Sequence, residues 1–539
     1  MLSRPMSLAF EDELISLDVS VFDYGCGRGG DLRQLRSLGV DASGWDPAHD
    51  PTAPVKAADV VNLGYVINVI EDRAERSEAL CKAWSLARSA LVVAARPSWE
   101  AREVRGRPHG DGVVTAKNTF QKFYEQDELR KYIEATLGER ALAAAPGIFY
   151  VFRDEKAAQA MLAHRARRGA ASRAQRIADL LYELHRGSLG VLESFVEAER
   201  RIPGAGEIDR DVESSLVEEF GSLRGAFYLV RRATGRSRWA DIEASRPSQS
   251  ERRFNENREL LEALMDFVDE RGRLPHSGEL PAGGEVESVF GSIRAAFALV
   301  RRVTDSDRWV RAEGEARRNF LVYLALAAFG GRPKFSDLPE DLQFDVRDLF
   351  GNYKRATEQA DELLFAAGNL GALNLAARSS EVGKLTPEAI YVHVSAIPQL
   401  PPLLRVYEGC GQALSGTVEE ATIVKLHREK PQISYLAYPN FDRDPHPALS
   451  TVIVCRLGSL NLSYRDFRES DNPPILHRKE TFVDRAYPGR DKFARLTLQE
   501  EKSELLSSTT IGTLRGWSEV LGGRNMEVRG HRLQRRSQS

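Results

Sequence analysis

The stretch Phe22-Asp23-Tyr24-Gly25-Cys26-Gly27-Arg28-Gly29-Gly30-Asp31 constrains this chain more than any other. It follows an apolar run and precedes a helical pattern at 31–38. Closely spaced glycines let a backbone turn sharply and approach a ligand with no side chain in the way. The helix that follows presents free N–H groups to that ligand. A strand–crook–helix unit of this kind belongs to an α/β layer fold, and the expected strands around it are 19–23, 42–46, 58–63, 90–95 and 149–152.

Two ligand classes fit the glycine spacing. Gly25, Gly27 and Gly30 satisfy the GxGxxG pattern of dinucleotide enzymes, whereas Asp23, Gly25, Gly27 and Gly29 satisfy the DxGxGxG pattern of methyltransferases. Asp23 favours the second. A carboxylate just before the first glycine accepts hydrogen bonds from the ammonium of a methionine moiety, but beside a pyrophosphate it adds repulsion. Asp46, in Gly44-Trp45-Asp46, is expected at the tip of the second strand, where it can hold ribose hydroxyls in either reading. The segment 59–70 is expected to end a strand in polar groups and enter a helix. The expected cofactor is S-adenosylmethionine, held by Asp23, Gly25, Gly27, Gly29, Asp46 and Asn62.

Asn62 and Tyr65 are the catalytic candidates. Asn62-Leu63-Gly64-Tyr65 lies where amino-methylating DNA enzymes carry an Asn/Asp-Pro-Pro-aromatic loop. Asn62 would supply an amide oxygen to an exocyclic amine, and Tyr65 a stacking ring. The two prolines are missing. The alternative is that Asn62 caps a helix and Tyr65 packs beside the cofactor. Only 12 residues separate Asp46 from Asp59, too few for the usual helix, strand and acidic adenine contact, so a reduced sheet is expected. Asp50 is the one candidate for the adenine contact.

The chain resembles the methyltransferases associated with DNA phosphorothioation systems. The resemblance is carried by the residues from Phe22 to Gly29, by Ala42-Ser43-Gly44-Trp45-Asp46-Pro47 and by the run from Ala58 to Asp72. It continues in Gly110-Asp111-Gly112, Thr119-Phe120-Gln121-Lys122, Lys425-Leu426-His427-Arg428, Asp442-Arg443-Asp444-Pro445-His446-Pro447 and the run from Asp471 to Glu480. It implies a Rossmann-like methyltransferase domain, DNA as partner, phosphorothioated or not, and the other components of a bacterial DNA-modification system. A non-catalytic DNA-binding regulator or scaffold is the alternative, and methylation of RNA or protein a third reading.

The expected architecture has three parts. Residues 1–160 form the α/β Rossmann-like methyltransferase domain with its reduced sheet. Residues 161–370 form an α-helical region with three helix-turn-helix-like repeats, at about 190–240, 260–310 and 320–365. Residues 371–539 form an α+β domain. The repeats show as Arg201-Ile202-Pro203, Arg273-Leu274-Pro275 and Gly331-Arg332-Pro333, each followed by a Phe-Gly pair at Phe220, Phe290 and Phe350. Trp239 and Trp309 follow the first two copies. The units resemble small repeats that accompany homing endonucleases and bind DNA. Arg224, Arg294 and Arg355 recur at matched positions and are candidate nucleic-acid contacts.

The formal net charge of −3 gives no global field for a polyanion, so any such site is local. Lys425, Arg428, Arg478 and Lys479 are candidate phosphate contacts in the C-terminal part. His427, His446 and His477 raise a metal reading, but they lack helical or hairpin ligand spacing, and no metal site is expected. Asn472-Pro473-Pro474-Ile475 reads as a proline-stiffened turn. A basic stretch from His164 to Arg176 reads as a solvated face or linker, and the basic end from Arg529 to Arg536 as frayed. Four scattered cysteines and no membrane-length apolar run point to a reducing, cytoplasmic setting with no membrane partner.

Overall fold

A computed structural model describes the chain apart from residues 1, 105, 117, 164, 166–181, 183, 184, 205, 221, 235–238, 240–242, 245–248, 486 and 537–539. Its N-terminal part alternates strands and helices: α1 (Arg4–Glu11), β1 (Val21–Tyr24), α2 (Gly30–Ser37), β2 (Ala42–Trp45), β3 (Ala58–Gly64), α3 (Arg73–Leu86) and β4 (Ala87–Ala94). A small antiparallel sheet of β5 (Gly106–His109), β6 (Gly112–Thr115) and β7 (Phe120–Gln121) follows, then α4 (Gln126–Leu137), β8 (Ala141–Ala145) and β9 (Ile148–Phe152).

The main sheet has the order β2-β1-β3-β4-β9-β8. Strands β1 to β4 run parallel, and β9 is antiparallel to both β4 and β8. Alternate residues along each strand face opposite layers. Val21, Val60, Val92 and Tyr150 join one core with α1 and α2, while Phe22, Val61, Val93 and Phe149 join the other with α3 and α4. Both faces are covered, which is why the strands read as continuous apolar runs. Residues 47–57 contain no helix or strand, so β2 stays at the sheet edge, in line with the short spacing in the sequence.

The middle of the chain is mainly helical. Helices Arg210–Phe220 and Leu223–Thr234 form one pair, Gly283–Phe290 and Ile293–Val303 a second, Glu340–Phe350 and Tyr353–Ala366 a third. Beside the first pair, β10 (Arg201–Ile202) and β11 (Glu243–Ala244) run parallel. The same contacts recur. Ser222 Oγ, Ser292 Oγ and Asn352 Oδ1 accept hydrogen bonds from the amides of Gly225, Ala295 and Arg355, at 3.0, 3.1 and 2.9 Å, satisfying free donors at each helix start. The indoles of Trp239 and Trp309 donate to the hydroxyls of Thr234 and Thr304, at 2.8 and 3.0 Å. Arg201 pairs with Glu207, and Arg273 with Glu279. Gly291 and Gly351 take left-handed φ values of 83° and 80° at the turn between helices. Gly221, their counterpart, lies outside the described residues, as do His164, Arg167, Arg168, Arg173 and Arg176 of the basic stretch. Arg165 turns inward to an ion pair with Asp12.

The C-terminal sheet is an antiparallel meander of β12 (Lys384–Leu385), β13 (Ala389–His393), β14 (Ile423–His427), β15 (Gln432–Ala437), β16 (Thr451–Arg456) and β17 (Asn461–Asp466), paired in chain order. Its core is continuous with the third helix pair: Val346, Leu349 and Phe350 pack in the same cluster as Ile390, Val424 and Ile433. The hydrophobic core therefore runs across residue 371, whereas the first two helix pairs have cores of their own. Helix Pro402–Ser415 ends against the N-terminal sheet. The Thr417 amide donates to Ala144 O (2.8 Å) and Arg130 to Ala413 O (2.6 Å), which covers part of the β8 edge. The basic end is not frayed: Met526–Arg529 and Arg532–Arg535 pair as hairpin β18–β19. No helix among the described residues is long and apolar enough to cross a membrane.

Candidate functional site

The glycine crook leaves β1 at its carboxyl end. Gly25, Gly27 and Gly29 have φ values of 93°, 52° and 69°, and Gly29 caps α2. A side chain at Gly25 would bring its Cβ within 2.4 Å of Val66 Cγ2. A Cβ at Gly27 would meet nothing within 4 Å, so the crook opens a space there rather than filling it.

Asp23 sits on β1 directly opposite Asn62 of β3. It is 4% exposed, and Asn62 Nδ2 donates to its Oδ1 at 2.8 Å. Burial pushes its carboxyl up to about 7, partly opposed by that hydrogen bond and reinforced by the negative charges of Asp31 and Asp46. The carboxylate faces the amide nitrogen of Asn62, which turns the amide oxygen away. That oxygen is buried and has no hydrogen-bond partner. Cys26, within the crook, has its thiol pushed up to about 11 by burial and by Asp23 and Asp46, so it stays protonated.

Asp46 lies at the end of β2, as expected, but its carboxylate is engaged within the chain. Oδ2 accepts from the Gly27 amide (3.0 Å), and Oδ1 accepts from the amides of Ala48 (2.9 Å) and His49 (2.8 Å). Partial burial raises its carboxyl, but these amides and the His49 ring outweigh that and hold it below the usual range. Asp46 thus ties the crook to the β2 turn. Asp50 is exposed and bridges back to Asp46 through the backbone.

Tyr65 follows β3 with a left-handed φ of 60°, half-buried, its amide donating to Ala94 O at 2.8 Å. The expected helix entry at this point is corrected. Residues 65–72 form turns, and α3 begins at Arg73, where Asp72 accepts from the amides of Ala74 and Glu75. Asn62 therefore lies within a strand and caps no helix.

The nucleic-acid candidates fall in different surroundings. Arg294 and Arg355 are exposed in the first turn of their helices, and Arg224 is half-buried in the matching turn. Lys425 lies over the Tyr391 ring (5.1 Å) and near Glu388, while Arg428 donates to Asn374 Oδ1. Arg478 pairs with Glu501. Lys479 is corrected from a surface contact to an interior group. It is 2% exposed, and its ammonium donates to the carbonyls of Phe441 and Asp444, both at 2.6 Å.

Two of the C-terminal histidines, which lack helical or hairpin ligand spacing in the sequence, meet in space. His446 and His477 lie ring against ring at 4.5 Å, and Glu500 joins them. Burial lowers both imidazoles, to about 3 and about 4, and Lys479 adds to the effect on His446 as His446 does on His477. Glu500 gave no sequence signal, being one of several acidic residues on helix Arg490–Lys502. His427 is elsewhere, facing Gln432 Nε2 at 2.9 Å. Asn472-Pro473-Pro474-Ile475 serves as a turn that seats helix Leu514–Gly523: Asn472 Oδ1 accepts from the Arg515 amide (2.8 Å) and Pro473 O from Leu514 (3.0 Å).

No protein-family model matches the chain, and no curated protein does. Among solved structures, the chain is similar to the 1,6-didemethyltoxoflavin-N1-methyltransferase of Burkholderia thailandensis, at 12% identity over 28% of this chain and 79% of that one, TM-score 0.21. It is similar to the magnesium protoporphyrin IX methyltransferase of Synechocystis PCC 6803, at 17% identity over 28% and 76%, TM-score 0.20. A third is the amino pentose methyltransferase CalS10 of Micromonospora echinaspora, at 15% identity over 28% and 89%, TM-score 0.22.

Proposed function

We propose that the N-terminal part binds S-adenosylmethionine and that the chain is a methyltransferase acting on DNA within a phosphorothioation-linked modification system. One observation carries the cofactor reading: the buried Asp23–Asn62 pair, at the carboxyl ends of adjacent parallel strands, beside the open glycine crook. The strand order reverses at β1, with β2 on one side and β3 on the other, and α/β sheets bind ligands at that reversal. A pyrophosphate would bring two further negative charges beside a buried carboxylate that already resists ionisation. An ammonium would neutralise it.

The cofactor supplies an electrophilic methyl group. The chain's own residues do the positioning. Asp23 would accept from the cofactor's ammonium, the Gly27 and Gly29 region would allow close backbone approach, and Asp46 Oδ2, which takes one hydrogen bond from the Gly27 amide, would accept a second from a ribose hydroxyl. The unpartnered Asn62 oxygen is suited to accept an N–H, either from the cofactor or from an exocyclic amine of the target, for which Tyr65 would be the stacking ring.

The DNA reading is supported by the matched arginines. Cations in a helix's first turn oppose the helix dipole at a cost of about 0.3–1 kcal/mol, and an anion such as a phosphate would relieve it. Arg294, Arg355 and Arg224 are the contacts proposed, with Lys425, Arg428 and Arg478 as further phosphate contacts after local rearrangement. A second reading, a non-catalytic regulator or scaffold, is favoured by Asp46's internal engagement and the proline-free loop.

Calorimetry against S-adenosylmethionine and NAD, followed by labelled methyl transfer to DNA with and without phosphorothioate, separates the readings. Binding of the first ligand alone and transfer to either DNA support the enzyme. Binding without transfer supports the regulator. No binding of S-adenosylmethionine at millimolar concentration sinks the enzyme and leaves a regulator or scaffold with a vestigial cofactor domain.

A further inference from the structure

His446 follows the turn after β15, His477 follows the proline-stiffened turn, and Glu500 lies on helix Arg490–Lys502. These three distant segments bring one ligand atom each to within 4.8 Å of the others. His446 Nε2 and Glu500 Oε1 approach to 2.8 Å, yet Glu500 Oε1 has no properly formed hydrogen bond. Glu500 is 1% exposed and His477 8%.

His477 carries the sharper signal. Its Nε2 lies 2.7 Å from the Ile511 carbonyl, which only accepts, so Nε2 bears the proton. Its Nδ1 then holds a lone pair, buried, with no hydrogen-bond partner. An imidazole oriented by a backbone carbonyl through one nitrogen, with the other aimed at neighbouring donors, is the usual arrangement of a metal-ligating histidine. Around it the shell is fitted. Trp517 packs against both rings at 4.7 Å, and Lys479 holds the turn before His446 through the Phe441 and Asp444 carbonyls.

We propose that His446, His477 and Glu500 bind one divalent first-row transition-metal ion, of the Zn²⁺ class. A tetrahedral ion with bonds of about 2.1 Å holds its ligand atoms roughly 3.4 Å apart, between the closest and the widest separations of the cluster. Two imidazole nitrogens and a carboxylate oxygen suit zinc or ferrous iron and suit calcium or magnesium poorly. Three protein ligands leave a fourth position for water. The ion would pin three chain segments together without any cysteine. It is independent of the proposed cofactor site.

The test uses the full chain. Elemental analysis after desalting, and again after chelation and reloading with Zn²⁺, should find about one transition ion per chain. Replacement by Co²⁺ should produce visible d–d absorption, which a merely hydrogen-bonded histidine cluster cannot give. His477→Asn and Glu500→Gln should lose the ion, while His427→Asn keeps it. Zinc or iron content both support the proposal. If the variants fail to fold, the unsubstituted chain decides alone: content below about a tenth of an equivalent with no Co²⁺ bands overturns it, as does wild-type metal content in folded Glu500→Gln.

Discussion

The two large sheets place their chemistry in opposite ways. In the N-terminal sheet the crossovers, helical or not, return the chain to the same edge, so the carboxyl ends of β1, β2 and β3 gather in one crevice. Asp23, the crook and Asp46 then lie close both in sequence and in space. In the C-terminal meander successive strands end on opposite edges. There the buried polar cluster comes from connecting segments and a late helix, with His446, His477, Glu500 and Trp517 drawn from separate parts of the chain. A parallel sheet concentrates a local motif. An antiparallel one must assemble its cluster from afar.

That contrast can be broken experimentally. The largest effect is expected for Phe493→Ala, since Phe493 is 1% exposed and packs on Phe441 and the Lys479 ammonium. It should cost about 3–5 kcal/mol of stability in denaturant melts and leave affinity for S-adenosylmethionine unchanged. A parallel fall in affinity would show the two regions to be one cooperative unit. Asp23→Asn should weaken that affinity by roughly 10–100-fold, measured by calorimetry, without lowering stability on the alkaline side of Asp23's titration. There the wild-type carboxylate is buried and charged, which the amide avoids. A matching loss of stability would make Asp23 structural.

Gly25→Ala should cost about 1–3 kcal/mol, because φ is 93° and the new Cβ would meet Val66. A silent substitution would mean the crook is loose. The smallest effect is in pH. Below about 7 Asp23 is largely protonated and cannot balance an ammonium. Affinity should rise by up to about tenfold per unit as pH climbs towards that value and level off above it. A wild-type profile as flat as that expected of Asp23→Asn would remove Asp23 from the site.

Much of the N-terminal layer was legible. The expected strands at 42–46 and 58–63 correspond to Ala42–Trp45 and Ala58–Gly64; for the second, an apolar run between aspartate and glycine reports a buried parallel strand directly, while the first lies half-buried at the sheet edge. Strand β8 was not, since Ala-Leu-Ala-Ala-Ala has little strand preference and takes its place by pairing with β9. The helix expected after Asn62 failed for a related reason. Residues 66–70 run as turns instead: Ile67 is buried, Val66 closes on Gly25 and Val69 stays exposed. The recurring Thr–Trp contacts matched repeated letters, but their shared geometry needed coordinates.

By itself the sequence determined the crook, the carboxylate before it and the alternation of faces along the strand that carries them, because glycine's backbone freedom and a two-residue strand period are local properties. Only the tertiary structure decided that Asn62 would face Asp23, that Asp46 would be tied to the crook, that Lys479 would lie inside, and that two histidines and a glutamate would meet. Those outcomes depend on which segments pack together, and burial then sets the charge and the free lone pairs of each group.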